Sequence, residues 1–122
     1  MTRPLKVLHV NTEPTWRGGE QQVLYLLDGL RARGVASVLA AQPDGPMAER
    51  ARKSGHEVVG LRMRGEVDPI AVWRLYRLLR RGGFSVVHAH TSHGHTLAVL
   101  AAALFGPSAA RPKVVVARRV DF

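Results

Sequence analysis

The sequence predicts an α/β fold: a three-layer domain with a parallel sheet of at least five strands and helices on both faces. Three observations predict it. Apolar runs of strand length alternate with amphipathic stretches along the chain, an order that gives parallel strands joined by helical crossovers. The opening run, Lys6-Val7-Leu8-His9-Val10-Asn11, passes through a loop, Thr12–Arg17, into Gly18-Gly19-Glu20 at the head of a helix. The length of 122 residues with 46% hydrophobic content suits one domain with a buried core.

The first strand spans Lys6–Asn11, and its Val7, Leu8 and Val10 suit a strand covered on both faces. The first helix runs from about Gly19 to Arg33, with Val23, Leu24, Leu26, Leu27 and Leu30 in one stripe and Gly34 as its stop. The second strand is Ala36–Ala41. Pro43-Asp44-Gly45-Pro46 is a turn, and a short helix, Met47–Lys53, ends at Ser54-Gly55. The third strand is His56–Leu61. Asp68 as N-cap and Pro69 at the first helical position start the third helix, which Gly82-Gly83 terminates. The fourth strand is Phe84–His88. Thr96–Phe105, apolar on nearly all sides, is expected as a buried fourth helix ended by Gly106-Pro107. The fifth strand is Lys113–Ala117.

Charge and composition narrow the function classes. The net charge is +9, carried by 15 arginines and 3 lysines, which suggests an anionic partner: nucleic acid, a phosphorylated substrate or a membrane surface. The absence of cysteine excludes disulfides and thiolate metal sites. No stretch is apolar for long enough to span a membrane, and Met1-Thr2-Arg3-Pro4 lacks the apolar region of a signal peptide. The expected location is the cytoplasm.

Ligands of open parallel sheets sit at the carboxyl ends of the strands, near the switch in strand order. That rule places Asn11–Gly19, His88–His95 and Arg118-Arg119 around one crevice. Gly18 and Gly19 let a backbone approach a ligand closely, although a turn alone also explains them. Trp16 and Arg17 add an aromatic platform and a guanidinium, which a plain turn does not need. Four of the six histidines fall within His88-Ala89-His90-Thr91-Ser92-His93-Gly94-His95. Their spacing resembles the H-x-H-x-D-H metal motif of the metallo-β-lactamase superfamily, but Ser92 stands where that motif has aspartate. Contact of His90 and His93 with a sugar or phosphate is the favoured reading, and no metal is expected. Arg118 and Arg119 suit a diphosphate or carboxylate, unless Asp121 pairs one away.

Laid out at about 100° per residue, the third helix groups Val72, Leu75, Tyr76 and Leu79 on one side. Arg74, Arg77, Arg80 and Arg81 lie on the other, together with Ile70 and Trp73. A solvated basic face explains the arginines. An interfacial helix explains Trp73 as well: arginines meet anionic headgroups while the indole enters the headgroup layer.

Taken together, the motifs resemble the N-terminal domain of family 4 (group 1) glycosyltransferases, enzymes of the GT-B fold. The resemblance rests on the strand at 6–11, Arg17-Gly18-Gly19-Glu20-Gln21-Gln22, the helix Val23–Arg33 with Gly34, Phe84-Ser85-Val86-Val87-His88-Ala89-His90, and the stretch 114–122. It covers the whole chain. It implies a Rossmann-like domain and a hexosyltransferase-like enzyme moving a sugar from a nucleotide diphosphate sugar to an acceptor, with retention at the anomeric carbon. It implies that this domain holds the acceptor, that Gly18 and Gly19 lie against donor phosphates or acceptor, and that His90 and His93 face the cleft. No cofactor is implied beyond the donor substrate. Many members carry a histidine just after the fifth strand. Arg118 and Arg119 occupy that region here, so its role is not carried over and the catalytic residues are unassigned. The acceptor class that fits a basic, membrane-facing domain is a cell-envelope glycan or lipid-linked sugar, in polysaccharide or lipopolysaccharide synthesis on the inner face of the membrane. The family's C-terminal, donor-binding domain is absent from residues 1–122, so the chain is expected to be truncated and inactive alone.

Two alternatives belong to other classes. One is a zinc-dependent hydrolase using His88, His90 and His93. The other is a non-enzymatic basic module that binds nucleic acid. No helix-turn-helix, RNP motif or zinc finger supports the latter, and no nucleic-acid partner is expected.

Overall fold

The computed structural model describes residues 5–12, 18–63 and 68–116. Nine elements follow in the anticipated alternation: β1 (Lys6–Asn11), α1 (Gly18–Ala32), β2 (Ala36–Ala41), α2 (Pro46–Lys53), β3 (Glu57–Gly60), α3 (Pro69–Gly82), β4 (Val86–Ala89), α4 (Ser92–Ala103) and β5 (Lys113–Val116). The five strands form one parallel sheet in the order β3-β2-β1-β4-β5. The chain builds outward from β1 to β3, then crosses back to place β4 on the other side of β1. The switch in strand order therefore lies between β1 and β4.

Alternation along the strands sorts side chains to two faces. Leu8 and Val10 of β1, Val38 and Ala40 of β2, and Val87 and Ala89 of β4 pack with Leu75 and Leu79 of α3 and Leu97, Ala98 and Ala101 of α4. Leu39 and Ala41 face the other way, against Val23, Leu24 and Leu27 of α1 and Met47, Ala48 and Ala51 of α2. Helices thus cover both faces, as the three-layer expectation required.

Local signals act where the sequence placed them. The Asp68 carboxylate accepts hydrogen bonds from the backbone N–H groups of Ile70 and Ala71 at 3.0 and 3.3 Å, capping α3. Gly83 ends that helix at φ 65°, a left-handed conformation that suits glycine.

The fourth helix departs from expectation in two ways. It starts at Ser92, not near Thr96, because Thr91 serves as N-cap: its Oγ1 accepts the Gly94 N–H at 3.0 Å. It is also only half covered. Leu97, Ala98, Ala101 and Ala102 are buried, whereas Val99, Leu100 and Leu104 are exposed. Only one side of this helix packs against the sheet and α3, so uniform apolarity did not bring burial all round. The fourth strand is likewise displaced, to Val86–Ala89.

Candidate functional site at the carboxyl edge

The expected crevice corresponds to the carboxyl edge where β1 and β4 lie side by side. The His90 N–H donates to the Val10 carbonyl at 3.0 Å, extending the β1–β4 pairing past β4. Thr12 and Thr91 then follow the two strands, with their Oγ1 atoms 3.4 Å apart. Gln42, just after β2, fixes the outer part of this edge. Its Nε2 donates to the carbonyls of Thr12 and Met63 at 3.2 and 3.1 Å.

Helices α1 and α4 both begin here, so two positive helix ends open at the carboxyl edge. α4 comes very close to β1. A Cβ on Gly94 would lie 2.9 Å from Thr91 Oγ1 and 3.3 Å from the Val10 carbonyl oxygen, so the approach depends on glycine. Glu20, in the first turn of α1, is buried. A carboxylate there already answers much of the positive end of α1.

The histidine cluster is assembled differently from its spacing in the sequence. His9 and His88 are register partners on adjacent strands and project to the same face, the one that also carries Leu39. His90 follows with the same parity. His9 Nδ1 lies 3.0 Å from His90 Nε2, and the rings of His88 and His90 are 4.1 Å apart between centroids. Each of the three offers one nitrogen within 4.8 Å of the others. His93, by contrast, is exposed on the first turn of α4 and does not join them. The metal-like triplet His88, His90 and His93 is therefore not assembled as a set; His9 takes the third place.

His9 is fully buried, and burial is the main reason its pKa falls from 6.5 to about 4; the His88 and His56 charges push it the same way. It is neutral at physiological pH. Its Nε2 is buried without a hydrogen-bond partner among the described residues.

Of the residues singled out from sequence, Gly18 and Gly19 open α1, His90 is buried at 6% exposure, and His93 is on the rim. Trp16, Arg17, Arg118 and Arg119 lie outside the described residues. Sequence reading missed His9 and Gln42 as parts of this edge; Thr12 and Thr91 lay within the segments placed there but were not singled out. For His9 the available signal was an imidazole inside the apolar run Val7–Val10 of the first strand.

A depression of about 180 Å³ adjoins the edge, lined by Gln42, Pro43, Asp44, Gly45 and Arg62. It is below the roughly 300–1,000 Å³ of small-molecule pockets. A broader hollow lined by Val99, Ser108, Arg111 and Lys113 lies at the amino end of β5, away from the edge where ligands of such sheets bind.

The third helix has the two-sided character read from its sequence. Ala71, Leu75 and Leu79 are buried, while Ile70 and Trp73 are 63% and 54% exposed. Arg74, Arg77, Arg80 and Arg81 are all exposed. Arg80 differs from the others: its guanidinium lies over the Tyr76 and Phe105 rings and donates to the Tyr76 hydroxyl at 3.2 Å. Among the described residues, no helix is long and apolar enough to cross a membrane.

Several solved structures share this fold. MurG of Acinetobacter baumannii superposes with a TM-score of 0.73 at 15% identity, over 93% of this chain and 34% of its own. A glycosyltransferase from Rickettsia africae ESF-5 gives 0.72 at 11% identity, over 98% and 32%. Anabaena Alr3699/HepE, solved in complex with UDP and glucose, gives 0.66 at 13% identity, over 90% and 28%. The chain thus spans about a third of the length of the structures it matches. No curated protein matches the sequence significantly. The fold is that of the N-terminal domain of GT-B glycosyltransferases. The profile of Glycosyltransferase Family 4 matches residues 16–118, and the chain belongs to that family.

Proposed function

We propose that the chain is the acceptor-side part of a glycosyltransferase. The enzyme moves a sugar from a nucleotide diphosphate sugar to a cell-envelope glycan or lipid-linked acceptor, with retention at the anomeric carbon. The observation that carries this reading is the convergence of two helix N-termini, those of α1 and α4, on the β1–β4 switch point. Backbone N–H groups at the two helix starts and the half-buried Thr91 hydroxyl offer hydrogen-bonding groups to a polyhydroxyl ligand. Glu20 in the first turn of α1 favours a neutral sugar over a phosphate at that helix end, which supports the acceptor assignment.

Gly18, Gly19 and His93 are the proposed contacts on the described rim, and Trp16, Arg17, Arg118 and Arg119 complete the set from sequence. His90, buried beneath the rim, contributes by holding Thr91 in place. Orienting donor and acceptor takes both walls of a cleft, and the donor wall is proposed to lie outside these 122 residues. No cofactor is proposed for the transfer beyond the donor substrate. The outer face of α3 is proposed to rest on an anionic membrane surface, where Trp73 enters the headgroup layer and Arg74, Arg77 and Arg81 meet phosphates.

Isotope-edited NMR of the chain tests the site. Titration with a lipid-linked or short glycan acceptor is expected to shift Thr12, Gly18, Gly19, Thr91 and His93. Shifts confined to Ser108–Lys113 at the amino edge, or none at millimolar acceptor, would overturn the assignment. In a radiolabelled-sugar assay the chain alone should give no transfer, and measurable turnover would remove the proposed need for a second wall.

A further inference from the structure

The transferase reading uses His90 only to hold Thr91 and makes no use of His9 or His88. Three imidazoles share the sheet face on which Leu39 and Ala41 pack, two of them buried.

We infer that His9, His88 and His90 form a binding site for a divalent first-row transition-metal ion of the zinc type. Each residue supplies one imidazole nitrogen, and these nitrogens lie within 4.8 Å of one another. An ion bonded at 2.0–2.1 Å to each of three nitrogens holds them about 3.3 Å apart in a tetrahedral arrangement. His9 Nδ1 and His90 Nε2 are hydrogen-bonded at 3.0 Å, near that separation, so an ion would take the place of the proton they share. The backbone is prepared for it. His9 and His88 are fixed opposite each other by strand pairing, and His90 is fixed by its N–H bond to the Val10 carbonyl. Sites on strands hold ligand geometry better than sites on loops.

The donor set decides the ion. Neutral imidazoles select zinc, cobalt, nickel or copper, whereas magnesium and calcium take oxygen ligands. Among the described residues no fourth His, Cys, Asp or Glu joins the group, so three protein ligands leave one tetrahedral position to water or another oxygen ligand. His88 is half-buried, which gives the cluster access to solvent. The inference stands independently of the transferase reading, and its test needs no activity.

The test is cobalt(II) titration of the chain purified without a histidine tag, followed by visible absorption and by metal analysis after dialysis. One equivalent per chain is expected, with the intense bands of tetrahedral cobalt, and equimolar zinc should abolish them. His9→Gln and His88→Gln should each weaken binding about 100-fold or more, beyond the effect of losing an outer-sphere partner. Circular dichroism confirms that each variant is folded, and His88→Gln, at a half-buried position, serves if His9→Gln is not. His93→Ala should retain the full equivalent. Substoichiometric cobalt in the parent chain, or full binding in a folded His88→Gln variant, would overturn the inference. So would loss of binding in His93→Ala with retention in His9→Gln.

Discussion

The two faces of the sheet use the same strands for different ends. Under α3 and α4, Leu8, Val10, Val38, Ala40, Val87 and Ala89 are all buried in one apolar core. On the other face, β1 and β4 present His9, Asn11 and His88 beside Leu39 and Ala41 of β2. The pleat makes the division possible, because neighbouring residues on a strand project to opposite sides. The first face is apolar at every one of these positions, whereas the second joins an apolar core on β2 to polar side chains on β1 and β4.

The largest expected effect comes from breaking the apolar face. Leu75→Ala empties a fully buried position of α3. It should lower unfolding free energy by about 2–5 kcal/mol, read as a lower urea midpoint, while cobalt stoichiometry of the folded protein stays at one. A coupled loss of metal binding would show that the faces are not separable.

Acid should act on the polar face alone. His9 titrates near 6.5 unfolded and about 4 folded, so below pH 6.5 the unfolded chain binds a proton that the native chain refuses. The His9 contribution to stability is complete above pH 6.5, declines between 6.5 and 4, and falls no further below. The full decline is about 3 kcal/mol, from roughly 1.4 kcal/mol per pKa unit. Urea unfolding across this range, with chelator present, should show the slope, and His9→Leu should flatten it. An unchanged slope in that variant would place the acid sensitivity elsewhere.

The smallest effect concerns the outer side of α3, whose inner side belongs to the apolar core. Arg74→Glu with Arg77→Glu should weaken binding to anionic vesicles about 30-fold or more, from roughly 1 kcal/mol for each arginine removed. Surface changes of this kind leave stability within about 0.5 kcal/mol. Arg80 is left intact because it covers the Tyr76 and Phe105 rings. Vesicle binding unaffected by the double substitution and by Trp73→Ala would remove the membrane from the functional proposal.

The alternation of elements was legible because each signal was local. Asp68-Pro69 and Gly83 bounded α3, and the stripe of Val23, Leu24 and Leu27 marked the buried side of α1. The apolar run begins only at Leu97, so the start of α4 at Ser92 was not marked by it, and the close approach of Gly94 to β1 appears only in space. The histidine site was only half legible. His88 and His90 stood out as neighbours, but their third partner, His9, is 81 residues from His90 and meets it only through the β1–β4 pairing. No local pattern encodes a contact that strand order creates.

That same strand order has a consequence for biosynthesis. On the ribosome, β1 can pair with β2 once Ala41 has emerged, but its other side remains an open sheet edge until β4 follows at Val86–Ala89. Throughout that interval an apolar strand containing Leu8 and Val10 is exposed to other nascent chains. Docking of β4 seals the edge and brings His88 and His90 onto His9 in one event. The histidine cluster thus marks the docking of β4, since no nascent chain that ends before His90 contains all three rings.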